Sequence, residues 1–403
     1  MKRSLLRFLA LGLIIGMAFS IVLTSCVPTA PVEETAAATE AETAATEAEV
    51  TETKAPEEEL IPVRIAVGPY SMFMLFIAAE ELKIDEGIGL KFKNEVFPAP
   101  APAVKALIRG DEDIVLMCVN EAVPFIKTAP QVKTVLPVGF FKGFIFIGRQ
   151  GEFKPWDELV AEMGEEKAKE FRLNEFKGKT ILGIPFRFSL VNDAVAQVGL
   201  TEKDYNAKVY ADDQLAANAF INGEGDIYTG SLVQETMMLK KMPDKFINLG
   251  GQGILGPMGL WYDTGISYDK FITEKKEILL KTLAVEMKAI RAFDEQPDKI
   301  APVMTNALNR LAGSEYTVDE YIELQTIYDD YQGLDNCRND LFNPESPVYW
   351  KIVADYNIKA LAEAGTIDKI VPAEDYFPWE NIFKEFTNRT DLLEYVNSPF
   401  PWE

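Results

Sequence analysis

Two distant stretches of the chain follow one grammar. Ala106 to Lys127 reads ALIRGDEDIVLMCVNEAVPFIK, and Ala219 to Lys240 reads AFINGEGDIYTGSLVQETMMLK. Each runs through apolar residues at helical spacing, a Gly, acids, and an Asp-Ile that opens an apolar run. Val104, Ala106, Leu107 and Ile108 mark a helix in the first copy, and Leu215, Ala216, Ala219, Phe220 and Ile221 mark one in the second. Gly110 and Gly223 fit the place after a helix end, where a positive φ is cheap only for Gly. Asp113 to Met117 and Asp226 to Tyr228 then read as short buried strands. A polar joint follows each, Asn120-Glu121 or Thr229-Gly230-Ser231, and then a second helix. This helix–strand–helix rhythm belongs to a parallel α/β sheet.

A second pair of phrases precedes the first. Val63 to Val67 is a strand that ends in Gly68-Pro69-Tyr70-Ser71, with a helix through Phe76, Ile77, Ala79 and Leu82. Thr180 to Ile184 is a strand that ends in Pro185-Phe186-Arg187-Phe188-Ser189, with a helix through Val191 and Val195 to Gly199. Ser71 and Ser189 are placed to cap those helices. The fold class expected is α/β, with two similar lobes. In open α/β sheets ligands bind at the carboxyl ends of the strands, beside helix N-termini. Two such edges face to face make a cleft that a hinge can close.

The phrases IAVGPYSMFMLFIAAEEL, PAVKALIRGDEDI, FKGKTILGIP and NAFINGEGDIYTGSLVQE together resemble the periplasmic solute-binding proteins of ABC importers. The branch they resemble includes sulfonate-, nitrate- and thiamine-precursor-binding (NMT1-like) members. The resemblance spans about Ile61 to Asp263 and, more loosely, the helical remainder. It implies a type II two-lobed fold: lobe 1 begins over 61–141, lobe 2 covers 142–262, and 263–403 returns to brace lobe 1. It also implies a small-molecule solute, an ABC permease as partner, and a monomer with no cofactor, no metal and no catalytic residues. Two features depart from that pattern. Phe186-Arg187-Phe188-Ser189 stands where sulfonate and nitrate members usually carry a small Gly/Ser/Thr-rich loop, and Thr229-Gly230-Ser231 stands where many relatives show Trp-Glu-Pro. Both argue against a bare oxyanion as the ligand.

The N-terminal residues agree with an exported receptor. Lys2, Arg3 and Arg7 precede the apolar run Leu5 to Leu23, and Leu23-Thr24-Ser25-Cys26 resembles a bacterial lipobox. A signal peptide over 1–25 and a lipid on Cys26 are expected; a transmembrane anchor is the competing reading of the same run. Residues 26–60 are rich in Ala, Thr and Glu, with Pro28, Pro31 and Pro56, and read as a disordered acidic linker. An Ala/Glu helix competes, weakened by Thr and Pro. The formal charge of −23 argues against nucleic-acid binding, and the absence of His removes His-based triads and His metal ligands. Cys118 sits in an apolar run and reads as a buried small hydrophobe, whereas Cys337 falls in a polar loop. Their pairing stays open.

Candidate ligand-binding residues lie on the strand-end loops. Tyr70 and Ser71 offer a ring and a hydroxyl, and Phe73 reads as core. Asn120 and Glu121 follow the Cys118 strand; Glu121 can accept donors from a ligand or simply suit a helix's first turn. Arg187 can grip a carboxylate, sulfonate or phosphate, or stack between Phe186 and Phe188 as a surface cation. Ser189, Thr229, Ser231 and Gln234 can orient a ligand amid apolar walls. Trp261 and Tyr262 mark the strand leaving lobe 2. Helices are expected over Phe271 to Phe293, Ile300 to Leu311 and Val318 to Tyr331, with Asp329, Asp330, Asp335 and Asp340 solvated. The functions open at this point are a solute receptor, a ligand-sensing module on the same clamp, and an enzyme like those that build the thiamine pyrimidine. The last depends on His chemistry that this chain lacks.

Overall fold

The computed structural model describes residues 59–403 apart from 186, 256–258, 364 and 366. The expected signal peptide, Cys26, nearly all of the linker and Phe186 lie outside the described residues.

Eleven strands among the described residues build two sheets. β1 (Ile61–Val67), β2 (Leu90–Val96), β3 (Ile114–Cys118) and β4 (Val132–Phe141) come first. β5 (Phe146–Arg149), β6 (Thr180–Gly183), β7 (Asn206–Val209), β8 (Ile227–Tyr228) and β9 (Phe246–Gly250) follow, and β10 (Trp261–Tyr268) and β11 (Asp329–Tyr331) come last. The first sheet has the order β11-β4-β10-β3-β1-β2 and the second β7-β6-β8-β5-β9. Leaving out β11 and reading the second sheet from its other end, β4-β10-β3-β1-β2 lies against β9-β5-β8-β6-β7, with the crossing strand, β10 or β5, in the same place. The repeated phrases supply the matching parts. β1 pairs in parallel with β2 and β3, and β6 with β7 and β8, with Ile65 opposite Ile114 and Ile181 opposite Ile227.

The parallel rhythm is only part of each sheet. β10 runs antiparallel to β3 and β4, and β5 runs antiparallel to β8 and β9. Each antiparallel strand enters from the other sheet, since β5 follows β4 and β10 follows β9. A chain arriving from outside can pair antiparallel without a crossover helix, so no helical pattern announces it. The two passages meet. The Phe144 and Trp261 rings are 4.4 Å apart, and a Cβ on Gly251 would collide with the Phe144 carbonyl oxygen.

Both sheets bury apolar residues on both faces. Phe73, Phe76 and Phe92 lie on one side of the first sheet, and Val104, Leu107 and Met117 on the other. Phe146, Phe176 and Ile181, then Leu182, Phe220 and Tyr228, do the same in the second.

The helical tail departs from its expected outline in three places. The span expected over Phe271 to Phe293 is two helices, Asp269–Glu274 and Lys276–Glu295, broken at Lys275, whose ammonium reaches Asp113 at 3.2 Å. The helix from Val318 stops at Ile327, and Asp329–Tyr331 becomes β11 on the edge of β4. Asp329 is therefore buried rather than solvated, and Asp330 pairs with Lys142 at 3.0 Å. Asp335 and Asp340 are exposed, as expected. Cys337 does not lie in a polar loop: it is buried in a helical turn with its thiol 3.2 Å from the Gln332 carbonyl. Cys118 is half-buried, and both thiols are free. The tail packs into the core of the first sheet. It also touches a helix of the second lobe, through Tyr316 to Thr236, Lys240 to Glu323 and Lys241 to Glu315.

Candidate functional site

The first lobe's strand ends place Tyr70 and Glu121. β1 stops at Val67, and the Tyr70 ring lies across Gly68, where a Cβ would sit 2.7 Å from it. Tyr70 stays 36% exposed, and Phe73 packs edge-on beneath it. Ser71 does not cap a helix. Its hydroxyl donates to Asp329 Oδ2 at 2.6 Å, and its carbonyl accepts the Tyr321 hydroxyl. Burial raises the Asp329 carboxyl to about 7 despite donors from Ser71 and Gln325. Glu121 closes a capping box on the helix Val119–Thr128, accepting the Cys118 N–H at 3.4 Å. Burial raises it to about 7, against the pull of that N–H and of Arg187. Asn120 turns to the tail, its amide donating to Asn357 at 2.8 Å. The Cys118 thiol donates to Asp263 Oδ1 at 3.0 Å, and burial drives both groups well above their ordinary ranges.

The second lobe's edge is a hydrogen-bonded nest. The Tyr228 hydroxyl donates to Asp213 Oδ1 at 2.6 Å, and the Ser231 N–H donates to Asp213 Oδ2 at 2.8 Å. Ser231 caps the helix Leu232–Lys241 by accepting the Gln234 N–H, which ties both residues to helix initiation. Glu235 is fully buried; its Oε1 accepts the Gly230 N–H at 2.9 Å, and burial pushes it well above the carboxylate range. Thr229 is buried against Gly183, where a Cβ would sit 2.7 Å from the Thr229 carbonyl oxygen. Arg187, 5% exposed, opens the helix Arg187–Ala196 and lays its guanidinium over the Phe144 ring at 4.3 Å. Ser189 is exposed within that helix rather than at its cap.

These two edges act on each other. The charges of Arg187 and Asp213, from the second lobe, reach the Tyr70 phenol of the first, and Arg187 also pulls on Glu121, Cys118, Tyr228 and Glu235. Of the residues expected from sequence, Tyr70, Glu121 and Arg187 come together, with Thr229 and Ser231 in the wall behind them. Ser71 and Asn120 turn to partners in the tail, whereas Ser189 is exposed and Gln234 gives its N–H to the Ser231 cap. Asp213, Tyr228, Glu235 and Asp263 join the cluster without having been anticipated. Asp213 and Glu235 look like ordinary first-turn acids, and Tyr228 and Asp263 look like strand residues; only the strand-end rule could have found them. Between Tyr70, Glu121, Gly68, Phe97 and Leu116, all of the first lobe, lies a cavity of about 10 Å³, room for about one water. Among the described residues no His/Cys/Asp/Glu group could hold a metal ion.

No family model matches the chain, and neither does any curated protein. Solved structures do. The periplasmic aliphatic sulphonate binding protein SsuA from Escherichia coli is 15% identical, with a TM-score of 0.57 over 78% of this chain and 91% of that one. The ligand-binding component of an ABC-type import system from Staphylococcus aureus, solved with zinc bound, is 12% identical, with a TM-score of 0.58 over 82% of this chain and 100% of that one. The desulfurization enzyme DSZB is 11% identical, with a TM-score of 0.55 over 82% of this chain and 99% of that one. At such identities the likeness is one of fold. The chain folds as a two-lobed α/β clamp of the type II periplasmic-binding-protein kind, with SsuA-type proteins among its structural neighbours.

Proposed function

We propose that the chain is an extracytoplasmic receptor that closes on a small organic solute and delivers it to an ABC permease, working as a monomer held to the membrane by a lipid on Cys26. In this reading 61–141 and 263–403 make one jaw and 142–262 the other. The observation that carries it is that Tyr70 and Glu121 of one sheet lie within reach of the Arg187 charge from the other, and Tyr70 within reach of Asp213 as well. Such a convergence at strand ends is where this class of sheet takes ligands. Structural neighbours described as a periplasmic sulphonate binding protein and as the ligand-binding component of an ABC-type import system support the same reading.

An enzyme reading finds little support in the cluster's chemistry. The Cys118 thiol donates a hydrogen bond to Asp263 and is held protonated by burial, the reverse of an activated nucleophile.

A thermal-shift screen over soluble metabolites tests the receptor. A true solute at a thousand times its dissociation constant adds about 4 kcal/mol of stability, whereas a library that leaves the melting temperature unmoved removes this function. For the anchor, the expected result is that Cys26→Ala moves the protein from the membrane pellet into the soluble fraction. An unchanged pellet would favour the transmembrane reading.

A further inference from the structure

The cleft carries more carboxyl groups than cations. Glu121 and Asp263 come from the first sheet, Asp213 and Glu235 from the second. Arg187 is the cation that acts on Glu121 and Glu235, whereas the charges acting on Asp263 are those of other acids, Asp329 and Glu121. Asp213 already accepts from Tyr228 and Ser231. Glu235 accepts the Gly230 N–H and is fully buried, and burial holds it well above the carboxylate range. Glu121 makes a single long bond, through Oε2. An anion entering here would compete with Glu121 for Arg187 and would meet Asp213 besides. A cation would meet Glu121, which spends only one long bond through Oε2, beside the exposed face of a tyrosine ring.

We propose that the clamp recognises its solute through a positively charged nitrogen head, an amine or amidinium, taken by Glu121 and the Tyr70 ring, with the solute's apolar body against Phe97 and Leu116. This rests on the receptor reading and names its ligand class. Arg187 and Glu235 form the fixed wall behind the head.

The assignment carries a proton signature. The charged and titratable groups facing Glu121 are Cys118 on its own element, Tyr70 on the first loop, Asp263 on β10 and Arg187 on the opposite lobe. Burial raises Glu121 to about 7 without solute. A cation favours its ionised form, so binding releases protons and weakens as pH falls below that value. An anion favours the protonated form, so its binding takes up protons and strengthens as pH falls.

The test uses four probes on one ring: benzamidine and phenethylamine against benzoate and benzenesulfonate. Melting shifts and calorimetry at pH 8 and pH 5.5 are the readouts, backed by a mixed metabolite library. The two cations are expected to bind, about tenfold more tightly at pH 8, with proton release. Glu121→Gln should weaken them about 30-fold, at the low end for truncating a buried charge partner, and flatten the pH response. Gln also serves at that capping-box position, so the helix start is preserved. Binding by benzoate or benzenesulfonate alone, or a library hit with an anionic head, overturns the cationic class and leaves the receptor standing. Silence of all probes and of the whole library ends both.

Discussion

Glu286→Gln is expected to raise stability at pH 9 by about 3–5 kcal/mol and to change it little at pH 5. Glu286 lies in the middle of the helix Lys276–Glu295, 1% exposed, and neither carboxyl oxygen has a hydrogen-bond partner among the described residues. Burial alone raises its pKa from 4.5 to about 8. The neighbouring Cys337 thiol, itself buried and pushed up in part by Glu286, offers no counter-charge. The fold therefore binds this proton more tightly than the unfolded chain does. Its stabilising effect is complete below about 4.5, fades as pH rises, and is gone above about 8, where the ionised carboxylate is left in an apolar site. Gln keeps the shape and cannot ionise, so it removes the loss at high pH. Chemical unfolding of both proteins from pH 5 to pH 9 measures the difference. Equal slopes of stability against pH in parent and variant would show that Glu286 does not carry this penalty.

What the sequence disclosed and what it hid divide along the range of the interactions. The strands β1, β3, β6 and β8 were legible because local signals bound them: an apolar run, and a Gly beyond the preceding helix, with Gly110 at φ 81° and Gly223 at φ 101°. β5 and β10 were not read as antiparallel strands, because their partners are chosen by chain passages between the sheets. Asp329 looked solvated beside Asp330, yet pairing of β11 with β4 buries it. Ser71 fits a cap by position, but an acid 258 residues later accepts its hydrogen bond. In the cleft, Arg187 and Glu121 could be proposed from their places after strands. Asp213 and Glu235 could not, because a first-turn acid on a helix has an ordinary local explanation. Their part in the cleft comes from tertiary approach to Arg187 and Tyr70.

Gly230→Ala should cost about 2–6 kcal/mol and loosen the second jaw, although the residue sits in a joint with no side chain of its own. A Cβ there would fall inside the contact radii of the Tyr228 hydroxyl and Asp213 Oδ1. The Asp213 carboxylate can swing away; the tyrosine cannot, since its ring is buried and stacked on Phe220 at 5.8 Å. Relief therefore breaks the Tyr228–Asp213 bond and leaves a buried hydroxyl unpaired, about 1–3 kcal/mol, with overpacking strain of a similar 1–3 kcal/mol. The Asp213 bond to the Ser231 N–H and the Glu235 bond to the Gly230 N–H hang on the same joint. This is also why Thr229-Gly230-Ser231 stands here: a bulkier phrase would not fit against Tyr228. A double-mutant cycle with Tyr228→Phe isolates the cause. With the hydroxyl gone, the added methyl meets less obstruction and has no bond left to break, so Gly230→Ala should cost at least about 1 kcal/mol less in that background than in the parent. Equal costs in the two backgrounds would mean that the glycine is required by something other than the tyrosine above it.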